Sequence, residues 1–448
     1  MRVSVIAVMP SQPPLLESAI ASREGRAPSA VARAVLPSKF EVDPSVAAVP
    51  LGSPAATAEA RVAASVRPER SEQFAVTGFV EADDPQRVPE AVDGNPVFAN
   101  PEIAPLITCG GSPPVGDANN VKTKLNVSTL TSRGLTGDGV AIAIMDTGIN
   151  LAHLTAKLGF APKLDVANSW RAPGSTVAPG THPVHHGTMC AFDALLAAPK
   201  ATLLDFPILA STAPGGAMVG RTLSVALLGF AQLLAFWGVA FAPGGAQQFR
   251  ALVSNNSWGI YHPSWDFPAG HPGRFIDNPN HPFNVIAKTL ANAGADIIFA
   301  AGNCGAQCAD MRCQGRTTQA IMGANALAEV LTLAGCDTND QRVGYSSQGP
   351  SISGMFAQKP DVTSYTHFKG SEAFGPGSPD SGTSAACPVA AGIVAALRTK
   401  VAPGTVPSNQ LFATIRANAI HAGAGTGWNG DFGFGIIDPV ATATALGV

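Results

Sequence analysis

The chain has 448 residues, 46% of them hydrophobic and 13% charged, with a formal net charge of −3. This is a globular composition, long enough for two or three average domains or for one large core with an extension. No run of Lys or Arg stands out, so the chain lacks the electrostatic footprint of nucleic-acid or anionic-membrane binding.

In chain order, the apolar run Val3–Met9 reads as a strand. It is too short for a signal-peptide core and has no convincing cleavage site. The chain is therefore expected to be cytoplasmic in preference to secreted. Further strands are expected at Phe74–Val80 and Pro96–Ala99, with a helix or linker between Ala56 and Arg70 and turn signals at Pro10, Pro37 and Pro54. The segment Cys109–Gly116, with its Gly-Gly and Pro-Pro pairs, reads as a loop or boundary. Residues 1–118 are accordingly assigned to an N-terminal extension and residues 119–448 to the main domain.

From Val121 onward strands and helices alternate. The strands are Val140–Met145, Thr202–Leu209, Leu252–Asn255, Asp296–Ala300 and Val330–Ala334. They are continuous apolar runs, as expected of parallel strands covered on both faces. Helices are expected at His186–Ala197, Thr222–Phe241, Val285–Ala293, Ser384–Thr399 and Ser408–Ala417. The alternation predicts an α/β fold with a mostly parallel central sheet flanked by helices. The uncharged stretch from Thr222 to Phe249 is long enough to span a bilayer. Its position between two candidate active-site segments favours a buried helix, and no membrane association is expected. No fixed-period repeat is visible.

Seven cysteines are present: Cys109, Cys190, Cys304, Cys308, Cys313, Cys336 and Cys387. The odd count leaves at least one free or paired between chains. Cys304, Cys308, Cys313 and Cys336 could offer four soft ligands, but their spacing is unlike a zinc ribbon. A local disulfide or reduced thiols are favoured over zinc, and no metal site is assigned.

Four segments carry chemistry. Asp146 follows the run Val140–Met145, and Asp146-Thr147-Gly148 marks a strand-end acid that can orient a histidine or simply form a turn. His186 opens His186-Gly187-Thr188-Met189-Cys190 at the start of a helix, where an imidazole can act as general base. Asn303 ends Ala300-Ala301-Gly302-Asn303, an amide that can donate to a developing oxyanion. Ser384 lies in Ser381-Gly382-Thr383-Ser384-Ala385-Ala386-Cys387-Pro388, a hydroxyl at a helix start with free backbone N–H groups. Alone, the Asp146, Asn303 and Ser384 segments are also ordinary turns or caps, and His185 and His186 could be a surface pair or, awkwardly for adjacent side chains, metal ligands.

Taken together in this order, the four segments resemble the subtilisin-like serine peptidases, the subtilases, over about residues 119 to 448. Ser254–Gly259, Tyr345–Pro350, Lys359–Val362 and Gly433–Asp438 look similar to further family segments. The resemblance implies a subtilisin-like three-layer fold and a serine endopeptidase (a hydrolase) acting on peptides or proteins. It assigns Ser384 as nucleophile, His186 as base, Asp146 as orienter and Asn303 as oxyanion donor. It also implies that substrate pairs with Ser257, Trp258, Gly259, Ala300, Ala301 and Gly302. His185 becomes a neighbour of the base in the groove. Neither substrate segment carries an acid, so an apolar preference is the default.

No cofactor is needed for this chemistry. Structural calcium is common in the family, but no acidic cluster places a site here. Phe74–Pro101 looks faintly like a subtilase prosegment, so residues 1–118 are either a self-inhibiting prosegment, cleaved near Cys109 to Asn120, or a retained accessory domain. Two alternatives remain. A sedolisin-like acid peptidase would carry a Glu base and an oxyanion Asp, and His186 and Asn303 argue against it. The other is a catalytically silent subtilase-fold peptide-binding protein.

Overall fold

The computed structural model describes residues 1–26, 34–84, 87–106, 112–172, 174–210, 221–239, 248–422 and 425–448; counts below refer to these. The N-terminal unit contains β1 (Arg2–Pro10), α1 (Pro13–Arg23), β2 (Phe40–Val42), β3 (Val49–Gly52), α2 (Ala58–Val66), β4 (Gln73–Glu81), β5 (Ala91–Val92), β6 (Asn95–Ala99) and β7 (Glu102–Pro105). All but β7 of these strands form one six-stranded sheet in which β4 and β1 are central.

The main body continues with α3 (Ala118–Lys124), α4 (Val127–Ser132), β8 (Val140–Met145), α5 (Leu151–Leu158), β9 (Lys163–Leu164), α6 (His186–Leu195), β10 (Thr202–Phe206), β11 (Arg221–Thr222) and α7 (Leu223–Val239). It ends with β12 (Ala251–Asn256), β13 (Trp258–Gly259), α8 (Pro282–Asn292), β14 (Asp296–Ala300), β15 (Leu331–Cys336), β16 (Val362–Tyr365), β17 (Phe368–Lys369), β18 (Pro379–Asp380), α9 (Thr383–Arg398), α10 (Ser408–Ala417) and α11 (Pro439–Ala445).

The central sheet has seven strands in the order β16-β15-β14-β12-β8-β10-β9, every pair parallel. Strand β8 shows why the sequence runs are apolar throughout. Successive side chains point to opposite faces of a sheet. Val140, Ile142 and Ile144 join the core with α6 and α9, while Ala141, Ala143 and Met145 join the core with α7 and α8. Both faces are dry, so no polar alternation survives. This is the three-layer α/β architecture expected from the sequence.

Within the uncharged stretch, Leu223–Val239 form α7, a 17-residue helix packed on α2 and α8, while residues 240–247, including the expected helix end at Phe241, lie outside the described ones. No described helix is long and apolar enough to cross a membrane. The N-terminal sheet is buried on both faces by the same alternation. Val5, Ala7 and Met9 of β1 face a core of their own with α1, whereas Ile6 and Val8 join the core that contains α7.

Helix α9 is fixed at its far end by Arg398, whose Nε and Nη2 lie 2.6 and 2.8 Å from the carboxylate of Asp296 at the start of β14. Both side chains are fully buried. Removing one partner of such a pair strands the other charge away from water. Arg398→Ala is therefore expected to lower unfolding free energy by about 3–5 kcal/mol in a denaturant titration.

Candidate active site

Asp146 follows the last residue of β8 and is completely buried. Its Oδ1 accepts from the Thr147 amide at 2.7 Å, and both carboxylate oxygens face His186 Nδ1 at 2.8 and 2.9 Å. His186 is the first residue of α6. The neighbouring glycine is a packing requirement, because a Cβ at Gly187 would lie 2.6 Å from the Gly148 carbonyl oxygen. The two short motifs, Asp-Thr-Gly and His-Gly-Thr, therefore touch backbone to backbone. Thr147 Oγ1 ties them by accepting from the Gly187 amide at 2.8 Å. His186 Nε2 is buried and has no hydrogen-bond partner.

Ser384 is the second residue of α9, where backbone amides have no intrahelical acceptor. Gly382 caps this helix at φ +81°, in the left-handed region where a side chain is strained. A Cβ there would also lie 2.7 Å from the Leu106 carbonyl oxygen. That oxygen is the focus of the site. Asn303 Nδ2 donates to it at 2.7 Å, and Ser384 Oγ lies 2.8 Å from it and 3.2 Å from Ser257 O. The serine hydroxyl is thus turned toward the Leu106 and Ser257 carbonyls. Thr383 sets the Asn303 amide, donating to Asn303 Oδ1 from its N–H at 2.9 Å and from its hydroxyl at 3.0 Å.

Leu106 arrives on an extended segment. Strand β7 lies between β11 and β13, antiparallel to both, with Ile103 opposite Arg221 and Pro105 opposite Trp258. The Leu106 amide donates to Ser257 O at 3.2 Å. Leu106 borders a small recess whose lining includes Gly259, Tyr261, Ala301, Gly302, Met322 and Asn325, with no acidic or basic side chain in it. Residues 102–106 therefore lie along β13 and beside this recess.

The structure brings Asp146, His186, Asn303 and Ser384 into one cluster around this segment. Of the six residues expected along the substrate, Ser257 and Gly259 meet β7 through backbone and recess, and Ala301 and Gly302 line the recess. Trp258 contributes backbone pairing only. Its indole is fully buried against Phe283 and Phe299. Ala300 O accepts from Asn325 Nδ2 at 2.8 Å and so faces the recess wall. His185 caps α6 and packs its ring edge-on against Phe374. Sequence reasoning missed Leu106, Thr383 and β11, whose roles arise from contacts between distant segments.

Cys190 lies beneath the pair, its Sγ 3.7 Å from Asp146 Oδ2 and 3.8 Å from His186 Nδ1. Burial, reinforced by the nearby carboxylate, pushes its thiol well up. Burial also pushes Cys387 up to about 12. Both are neutral thiols, poor as nucleophiles or metal ligands. Asp146, His186 and Cys190 form the one grouping of three ligand-type side chains among the described residues. This mixed set is unlike the oxygen cage that calcium takes. Deeper along α6, burial raises Asp193 well above the carboxylate range, and the facing Asp380 is raised to about 6 for the same reason. Cys304 and Cys313 form a disulfide, while Cys336 is free and buried in β15. The four-sulfur zinc set is thereby excluded.

A buried acid–imidazole pair, a serine at a helix start and an amide donor thus gather beyond the C-terminal ends of a parallel sheet. Residues 137–435 match the family model described as the subtilase family, and the chain belongs to that family of serine peptidases. Among solved structures, the chain is similar to a crystal structure of MycP1 from the ESX-1 type VII secretion system, at 18% identity and a TM-score of 0.48. That match covers 77% of this chain and 91% of the other. It is also similar to MycP1 with the N-terminal propeptide removed, at 22% identity and a TM-score of 0.44, covering 72% and 96%. No curated protein matches.

Proposed function

We propose that the protein is a serine endopeptidase using Asp146, His186 and Ser384, with Asn303 in the oxyanion hole, and that residues 1–106 hold it in a self-inhibited state. One observation carries this reading. The Leu106 carbonyl oxygen sits between Asn303 Nδ2 and Ser384 Oγ, at 2.7 and 2.8 Å, where the oxygen of a scissile carbonyl would be held.

In this mechanism Ser384 Oγ turns to His186 Nε2, gives up its proton and attacks the carbonyl carbon. Asp146 holds the imidazole in the tautomer that leaves Nε2 free to accept, then stabilises the imidazolium. The oxyanion is bound by Asn303 Nδ2 and the first-turn amide of α9. One such donor is worth about 2.7–4 kcal/mol of barrier, subtilisin being the measured case. His186 then protonates the leaving amine, and water hydrolyses the acyl-enzyme. The uncharged recess beside Leu106 supports a preference for apolar residues before the scissile bond.

Within the chain itself the bond presented is Leu106–Ile107. This lies upstream of the window expected from the sequence, whose first residues, 109–111, are outside the described ones. The Cys304–Cys313 disulfide bears on location, since such bonds persist in oxidising compartments. It pulls against the expected cytoplasmic placement.

A fluorophosphonate probe tests the chemistry. It is expected to label Ser384 in folded protein freed of residues 1–106, by its own cleavage or an added protease, and to leave Ser384→Ala unlabelled. Absence of labelling in that folded protein would favour the non-catalytic peptide-binding alternative.

A further inference from the structure

The segment after Asn303 is closed on itself. The Cys304–Cys313 disulfide spans it, and the Asp310 amide donates back to Asn303 O at 3.0 Å. Arg312 projects from the short 3-10 turn Met311–Cys313 at the end of this loop. Its guanidinium lies over the Tyr261 ring, 3.8 Å from the centroid, and Nη2 lies 2.5 Å from Tyr261 Oη. Asp310 holds the other side of the fork, with Nε at 2.9 Å and Nη2 at 3.0 Å.

Tyr261 is fully buried, and its hydroxyl donates to the Pro105 carbonyl oxygen at 2.9 Å. Arg312 Nη1 reaches the same oxygen at 3.5 Å. Pro105 immediately precedes Leu106. It stands opposite Trp258 between the pairs Ala104–Gly259 and Leu106–Ser257. In an antiparallel ladder the residue between two bonded pairs directs its carbonyl away from the partner strand. Turned away from β13, that carbonyl is held by Tyr261 Oη and, at longer range, by Arg312 Nη1.

We infer that Tyr261 and Arg312, braced by Asp310 and the Cys304–Cys313 loop, clamp the carbonyl of the residue one position before the scissile one in any bound peptide. The inference rests on the reading of this groove as the substrate groove. The clamp grips backbone only, so it adds affinity for extended peptides without selecting a side chain. It also couples groove affinity to the disulfide, because the loop that carries Arg312 is the one the bond closes.

The test begins with a readout that needs no catalysis. In the full chain carrying Ser384→Ala, Tyr261→Phe keeps the ring under Arg312 and removes only the hydroxyl. Hydrogen exchange at the Leu106 amide is expected to quicken by about 2- to 12-fold, the range for one neutral hydrogen bond. Amides of β8 and β12 should not change, which separates a lost clamp from a loosened fold. Unchanged exchange at Leu106 overturns the inference.

The second readout uses cleaved enzyme and a peptide pair differing by a thioamide at the residue before the scissile one. Sulfur accepts hydrogen bonds poorly, so the wild type should show a raised KM for the thioamide, and Tyr261→Phe, left with Arg312 alone, a clearly smaller penalty. An equal penalty in both enzymes also overturns the inference. A wild type that turns over neither peptide sinks the endopeptidase reading, and the exchange result then decides the clamp alone.

Discussion

Full-length chain carrying Ser384→Ala should stay intact on incubation, whereas the wild type should yield a new N-terminus at Ile107. Intact-mass spectrometry and N-terminal sequencing read this directly. The expected loss in self-cleavage rate is about 10⁴- to 10⁶-fold, because base and orienter achieve little without the nucleophile they serve. The geometry makes the position of the cut specific. Leu106 O is held by Asn303, the Leu106 amide by Ser257, and the residues before it by β11 and β13. Cleavage of Ser384→Ala at the same bond and rate would assign the cut to another protease and remove the self-processing proposal.

Asp146→Asn should lower kcat on a peptide substrate by about 10⁴-fold near neutral pH, with little change in KM. The carboxylate offers two oxygens to His186 Nδ1, which keeps the ring proton on that nitrogen. An amide can offer N–H instead, allowing the proton to shift to Nε2 and abolishing the base. The size of the side chain is preserved, so circular dichroism should match the wild type. A fall of less than tenfold with the fold intact would mean that His186 does not depend on Asp146 for its tautomer.

Much of this molecule could be read from sequence, for reasons visible in single elements. Strands β8 and β14 coincide with their apolar runs, because both faces are dry and nothing polar interrupts them. The run from Thr202 stops at Phe206, where Pro207 has no N–H to continue a ladder. Helix α1 escaped notice because its apolar residues follow no helical stripe, and it is started by Pro13 and Pro14 near its N-terminus. The four chemical groups were legible because each sits at an element end close to a glycine, with a threonine as well at Asp146, His186 and Ser384.

What was not legible depends on chain crossing chain. Strand β7 is four residues long and finds its partners more than a hundred residues away, at Arg221 and Trp258. Thr383 looked like part of the serine segment, yet it aims Asn303. Tyr261 and Arg312 lay outside every motif. The cluster of cysteines after Asn303 was the one sequence signal near this part of the site.

The position of β7 has a consequence for how activity would depend on protein concentration. Before the Leu106–Ile107 bond breaks, the blocking segment and the groove are parts of one molecule, at an effective concentration on the order of millimolar. After such a cut they would be a bimolecular complex, held by the packing of the N-terminal sheet, the β11-β7-β13 ladder and side-chain contacts such as Asn303 to Leu106 and Tyr261 to Pro105. The fraction of open grooves then obeys mass action. Freshly cut enzyme would be quiet in a concentrated stock and would gain specific activity on dilution.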